Sequence, residues 1–166
     1  MTDKSSKLQR YEPEGYPVFI TTSIFQKKPI FEDPSHCQAL STLIFDLRDE
    51  HNVKVLSFVI MPDHMHLVLF AQKQKEISRY MQALKRRSAR IINFARKSQG
   101  SVWLHRYFDR ALRSERELKN AIEYVHYNPV KAGMVSEPDG YPYSSANGGW
   151  KTDLEEYLTG KFHVNL

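Results

Sequence analysis

The chain is poor in the features that would place it outside the cell or in a membrane. It has a single cysteine, Cys37, among 166 residues, so no intrachain disulfide can form and a reducing compartment is its natural setting. No apolar run approaches the 18 or so residues that would cross a bilayer, although 41% of the residues are hydrophobic. The opening Met-Thr-Asp-Lys-Ser-Ser-Lys is polar and carries no hydrophobic leader, so a cytoplasmic protein with no membrane partner is expected. Internal repeats and low-complexity stretches are missing too, which removes solenoids and disordered tails from consideration. What remains has the length of one domain with a sizeable core, expected to span residues 1–166, with its core at about 10–147 and a C-terminal tail at 148–166.

Charge is unevenly spread. Residues 73–119 hold 14 Lys/Arg against 4 Asp/Glu, while the rest of the chain holds 10 against 15. A basic segment on an otherwise acidic protein is the pattern of a polyanion-binding face, the alternative being an ordinary solvated helix surface.

The element order reads as α+β. Residues 16–24 form a β-branched and aromatic first strand. Ser35 with Gln38 resembles a capping box opening a helix to about residue 51, with Leu40, Leu43, Ile44 and Leu47 as its apolar stripe. Val53 to Ile60 and His64 to Phe70 make a hairpin about the Pro62-Asp63 turn, and their apolar residues on both faces predict central places in a sheet. A helix over about 76–98 buries Ile77, Tyr80, Met81, Leu84, Ile91, Ile92 and Ala95. On its opposite side Arg79, Arg86, Arg90 and Lys97 fall in one line without acidic partners at i+4, a row suited to phosphates. Residues 102–112 mix aromatics with Arg106 and Arg110 and end in a strand; stacking and charge together suit single-stranded nucleic acid, and core packing explains Trp103 and Phe108 equally well. Ser114 and Glu117 cap a helix of about 115–127 that Asn128-Pro129 is expected to close. The loop-rich remainder includes a short helix near 152–158.

Chemistry concentrates in Met61-Pro62-Asp63-His64-Met65-His66-Leu67-Val68. Strand side chains alternate faces, so His64 and His66 point the same way, about 6.5–7 Å apart along the backbone, close enough to share a metal ion. A hydrogen-bonded core pair is the other reading. Asp63 is expected to serve the turn alone. In the 115–127 helix, Tyr124 lies at the edge of the apolar face formed by Leu118, Ala121, Ile122 and Val125, while Tyr127 points to solvent. Asn128 follows Tyr124 by four residues, on the same side of the helix. A tyrosine hydroxyl is a weak nucleophile unless a cation or base activates it, and an Asn128 amide oxygen could complete a His-His-Asn site. Composition and spacing alone support a metal-dependent nucleic-acid protein.

Met-Pro-Asp-His-Met-His-Leu-Val, the basic helix, Trp-Leu-His-Arg-Tyr-Phe-Asp-Arg-Ala-Leu-Arg and Tyr-Val-His-Tyr-Asn-Pro-Val-Lys-Ala-Gly, in this order, resemble the single-tyrosine HUH (IS200-like) transposases, in particular the REP-associated tyrosine transposases. The resemblance spans roughly residues 10–147. It implies a central antiparallel sheet bearing the histidines, a ferredoxin-like or palm-like frame with helices packed mainly on one face. It implies a single-stranded DNA endonuclease and strand transferase acting beside hairpins (REP-like palindromes) through a 5′-phosphotyrosine on Tyr124. His64, His66 and Asn128 would then bind Mg²⁺ or Mn²⁺, in a bacterial, nucleoid-associated protein. Arg79, Arg86, Arg90, Lys97, Arg106 and Arg110 are the expected DNA contacts, and a homodimer is left open. A domesticated, non-catalytic palindromic-repeat DNA-binding protein is the alternative. Phosphoesterases with two H-x-[ST] motifs are excluded by the lack of a second copy, and structural zinc is disfavoured because it takes four protein ligands.

Overall fold

The computed structural model describes residues 14–160, so residues 10–13 of the expected core and the end of the tail lie outside the described residues. Its order is β1 (Val18–Ser23), α1 (Pro34–Glu50), β2 (Lys54–Met61), β3 (His64–Phe70), α2 (Gln74–Arg96), β4 (Phe108–Ala111), α3 (Glu115–Lys131) and α4 (Leu154–Leu158), with three short 3-10 turns. The four strands form one sheet in the order β2-β3-β1-β4, antiparallel throughout. This is the expected α+β frame with a central antiparallel sheet.

Alternation along the strands, with a bulge at Leu56 of β2, divides the interior in two. Ile20, Phe58, Ile60, Met65, Leu67 and Leu69 face α1 and α2, the longest helices, where they meet Leu40, Ile44, Ile77 and Leu84. Phe19, Leu56, Val59, Met61 and Val68 face the other way and are covered by Leu118, Ala121 and Val125 of α3 and by Tyr157 of α4. Most helical residues thus lie on one face, while α3 crosses the other. Cys37 belongs to the α1–α2 side; its thiol donates to the Phe31 carbonyl at 3.0 Å, and burial pushes it up to about 12, so it is inert.

Four local expectations are corrected. Asp33, rather than Ser35, caps α1, accepting from the Ser35 amide at 2.8 Å, with Pro34 at the first helical position. The buried stripe of α2 stops at Ile92: Ile91 and Ala95 are exposed because the last turns run past the edge of the sheet, where Phe94 is 88% exposed. α3 does not close at Asn128. Pro129 sits inside it, depriving only the Val125 carbonyl of a donor, and the helix runs to Lys131, closed by Gly133, whose positive φ of 72° turns the chain so that the Met134 amide reaches the Pro129 carbonyl at 3.0 Å. The Ser114 cap itself is present, its hydroxyl accepting from the Glu117 amide at 3.1 Å.

The fourth correction concerns β2, which is an edge strand and not a central one; only β3 and β1 are central. Its outer edge is closed by the segment after α3. The amides of Ile60, Ser145 and Asp153 pair with the carbonyls of Tyr143, Phe58 and Val55 at 2.8–2.9 Å. Asp153, buried, accepts from the Val55 amide at 2.8 Å and from Arg48 at 3.2 Å, and Trp150 stacks on Phe45. Residues 148–158, read from sequence as tail, therefore hold the sheet edge. Asp153→Ala orphans the buried Val55 amide and removes the Arg48 ion pair at once, and is expected to destabilise the fold by about 2–3 kcal/mol. A urea midpoint unchanged from wild type would show that this strap adds nothing.

Candidate active site

His64 and His66 occupy alternate positions on β3 and project onto the α3 face, their rings 4.8 Å apart. Each is held by its Nδ1. His64 donates to the Asp63 carboxylate at 2.6 Å, and His66 is paired with the Thr21 hydroxyl at 2.8 Å. Asp63 thus does more than turn the hairpin. Burial raises its carboxyl, but the His64 hydrogen bond, the His64 charge and Lys27 outweigh that and leave it below the usual range. Burial, with His64 nearby, pushes His66 down to about 3, so its imidazole is neutral at any physiological pH. Its Nε2 is buried with no hydrogen-bond partner among the described residues.

This donor set fits a divalent ion. Ligating imidazoles are neutral and are oriented through the other ring nitrogen by a carboxylate or hydroxyl, which is the arrangement at both histidines. Among the described residues no three His, Cys, Asp or Glu side chains gather at one point, so any third protein ligand must come from another side-chain type. Asn128, one turn beyond Tyr124 on α3, is half-buried, and its amide has no hydrogen-bond partner among the described residues.

Tyr124 hangs from the edge of the α3 stripe over the same patch. Its ring lies 5.2 Å from His66 and 5.8 Å from Phe19, and Phe19 in turn stacks on His66 at 5.4 Å. The tyrosine helix thus packs over the histidines of its own chain. Tyr124 stays 43% exposed, and Lys131 places its ammonium 5.4 Å from the ring. Lys131, seven residues on along α3, and Lys27, beside Asp63, were missed in the sequence reading; the first sits two helical turns from Tyr124, a spacing that could have revealed it. His126, between Tyr124 and Asn128, points elsewhere, to Ser145 of the strap at 2.9 Å.

The six expected DNA-contacting cations are not brought together. Arg79 and Arg86 line a groove of about 780 Å³ on the α2 side of the sheet with Lys85, Trp103 and Tyr107. Arg90 and Lys97 continue the exposed row beyond it, and Arg106 stands exposed on the loop before β4. Arg110, directly opposite Phe19, lies instead on the Tyr124 face. None of the row on α2 forms an ion pair among the described residues, because the nearby acid, Glu50, is engaged by Arg87 at 2.6 Å.

A helix-borne tyrosine set over an alternate-residue histidine pair, on the central strand of an antiparallel sheet, is the frame of the single-tyrosine HUH class. A family model described as transposase IS200-like matches residues 18–128, and the chain belongs to that family. It is 20% identical to the REP-associated tyrosine transposase of Escherichia coli K12, over 94% of this chain and 97% of that one. A shorter stretch is 37% identical to the ISDra2 transposase TnpA of Deinococcus radiodurans, covering 31% of this chain and 36% of the relative. Among solved structures, a REP-associated tyrosine transposase bound to a REP hairpin shares the fold, with a TM-score of 0.69 at 21% identity over 90% of this chain and 93% of that chain.

Proposed function

We propose that this chain is a REP-associated type of tyrosine transposase that cleaves and rejoins single-stranded DNA beside hairpins, with Tyr124 as nucleophile. The observation that carries this reading is the contact of Tyr124 with His66, whose buried Nε2 is left without a partner. The Tyr124 oxygen attacks the scissile phosphorus and the P–O3′ bond breaks. The phenolic proton leaves, the departing oxygen is protonated to a 3′-OH, and the 5′ end stays on the tyrosine. Attack by a 3′-OH reverses this, so rejoining needs no external energy source. His64, His66 and Asn128 would hold a Mg²⁺ or Mn²⁺ ion, which supplies charge stabilisation at the phosphate. Lys131, beside the tyrosine ring, favours the same anionic group. Asp63 and Thr21 keep the two imidazoles turned toward it.

The row Arg79, Arg86, Arg90 and Lys97, with Arg106, would carry the hairpin stem on the α2 side, and Arg110 the strand near Tyr124. No helix among the described residues is long and apolar enough to cross a membrane; a DNA-processing role would place the protein in the cytoplasm, with the nucleoid. Replacing Arg86 and Arg90 by Ala together is expected to flatten the plot of log affinity against log salt by roughly 1.5–2, about one phosphate contact each. An unchanged slope would return the row to ordinary helix surface.

The reading is tested by incubating the protein with single-stranded hairpin oligonucleotides drawn from its host's own repeats, with Mn²⁺ or Mg²⁺, and looking for a denaturant-resistant protein–DNA adduct alongside a free 3′-OH fragment. An adduct supports it. Hairpin binding with no adduct would favour the silent, repeat-binding alternative.

A further inference from the structure

The face that carries the histidines continues past them to the far edge of the sheet. Thr21 of β1 is paired on one side with His66 and on the other with Phe108 of β4, so the three side chains form one row across three strands and share one face. Two strand spacings put Phe108 about 10 Å from His66. Arg110, two residues on and opposite Phe19, projects the same way. α3 supplies the other wall, with Asn120 one turn before Tyr124. Together these residues enclose a groove of about 490 Å³ that opens directly beside Tyr124.

We propose that this groove is a nucleotide subsite for the scissile strand, in which Phe108 stacks one unpaired base next to the cleaved phosphodiester and Arg110 neutralises the adjoining phosphate. The inference rests on the function proposed above and specifies where its substrate strand runs. Phe108 is 57% exposed and lines the groove, and its T-shaped contact with Phe19, at 6.5 Å between centroids, leaves over half of it open to a ligand. A lone exposed phenylalanine is ordinary. Here it lies in register with His66, shares a cavity with Tyr124 and stands next to a cation, and aromatic faces paired with cations are how unpaired bases are held. The row of arginines on α2 lies across the sheet and cannot serve this strand. Asn120, with an amide that offers both a donor and an acceptor, is placed to meet a base edge.

The test is a binding cycle read by fluorescence anisotropy, run alongside the adduct assay. Hairpin oligonucleotides carrying single-stranded flanks are made with one abasic site at each nucleotide on either side of the scissile bond, and are titrated with wild type, Phe108→Ala and Phe108→Trp. One abasic position is expected to weaken wild-type binding about tenfold, Phe108→Ala to cost a similar factor on intact DNA, and the two losses not to add. Phe108→Trp should restore binding, and affinity for the stem without flanks should be the same in all three. Losses that multiply at every position, or intact binding by Phe108→Ala, would overturn the subsite, as would weakened binding of the bare stem. Non-additive binding without any wild-type adduct would keep the subsite while refuting cleavage. An adduct with fully additive losses would do the reverse.

Discussion

Tyr124→Phe is expected to abolish the covalent protein–DNA adduct, lowering its formation by about a thousandfold or more, while hairpin affinity stays within about twofold. The substitution removes one hydroxyl and nothing else. The ring keeps its places against His66, Phe19 and Lys131, and the hydroxyl has no hydrogen-bond partner among the described residues whose loss would unsettle the helix. Stability should therefore match wild type, and the loss belongs to chemistry alone. The same gel that detects the adduct checks it, with thermal melting as the control. Adduct retained in Tyr124→Phe would move the nucleophile to another residue, Tyr127 first, since that side chain is also exposed, at 48%. That outcome would leave the histidines without a partner tyrosine and undo the site as drawn.

The second large effect concerns the histidines. His64→Ala is expected to remove cleavage by about 10²-fold or more at every divalent-ion concentration tested, and His66→Ala likewise. His64 is the cleaner probe, because His66 is buried, stacks on Phe19 and occupies the Thr21 hydroxyl, so its removal also disturbs packing. Asp63→Asn separates ligation from folding. It leaves both imidazoles but weakens the grip on His64 Nδ1, and is expected to raise the divalent-ion concentration needed for half-maximal cleavage by 10–100-fold while the rate at saturation is largely kept. Full activity of the wild type in EDTA would end the metal reading. An Asp63→Asn protein with an unchanged ion requirement would return Asp63 to its turn.

Much of this site was legible before the fold. Strand alternation is a strict rule, so the shared face of His64 and His66 followed from their spacing, and the helical angle of Tyr124 placed it at the margin of the α3 stripe, where it is found over His66. What was not legible depended on neighbours distant in sequence. The hairpin's apolar residues on both faces made β2 look central, because a strand covered by a loop strap and one covered by another strand bury the same side chains. Ile91 and Ala95 had the right period but lie where α2 has outrun the sheet, and periodicity carries no information about where a partner surface ends. Pro129 read as a helix stop because a proline disfavours the α conformation in the residue before it; Asn128 adopts it all the same, and the cost is one lost hydrogen bond. Asp63, like Lys131, was a missed site residue within reach, since a carboxylate next to a candidate ligating imidazole is a common orienting partner.

β3 writes two texts in alternate letters. Met65, Leu67 and Leu69 spell the interior against α1 and α2, while His64 and His66 spell the reactive surface. A single-residue deletion or insertion within that strand would exchange the two, sending imidazoles into the oily interior and methionine and leucine to the α3 face. Such a frame slip destroys folding and chemistry in one stroke, so this strand can diversify only by substitution, never by a change of length. Length variation is left to exposed connections, such as 98–101 after α2, ahead of the Trp103 bridge to Ile24, where an added residue shifts no strand. An evolving or engineered version of this protein therefore has its freedom in loops and its spelling held fixed in seven residues of strand.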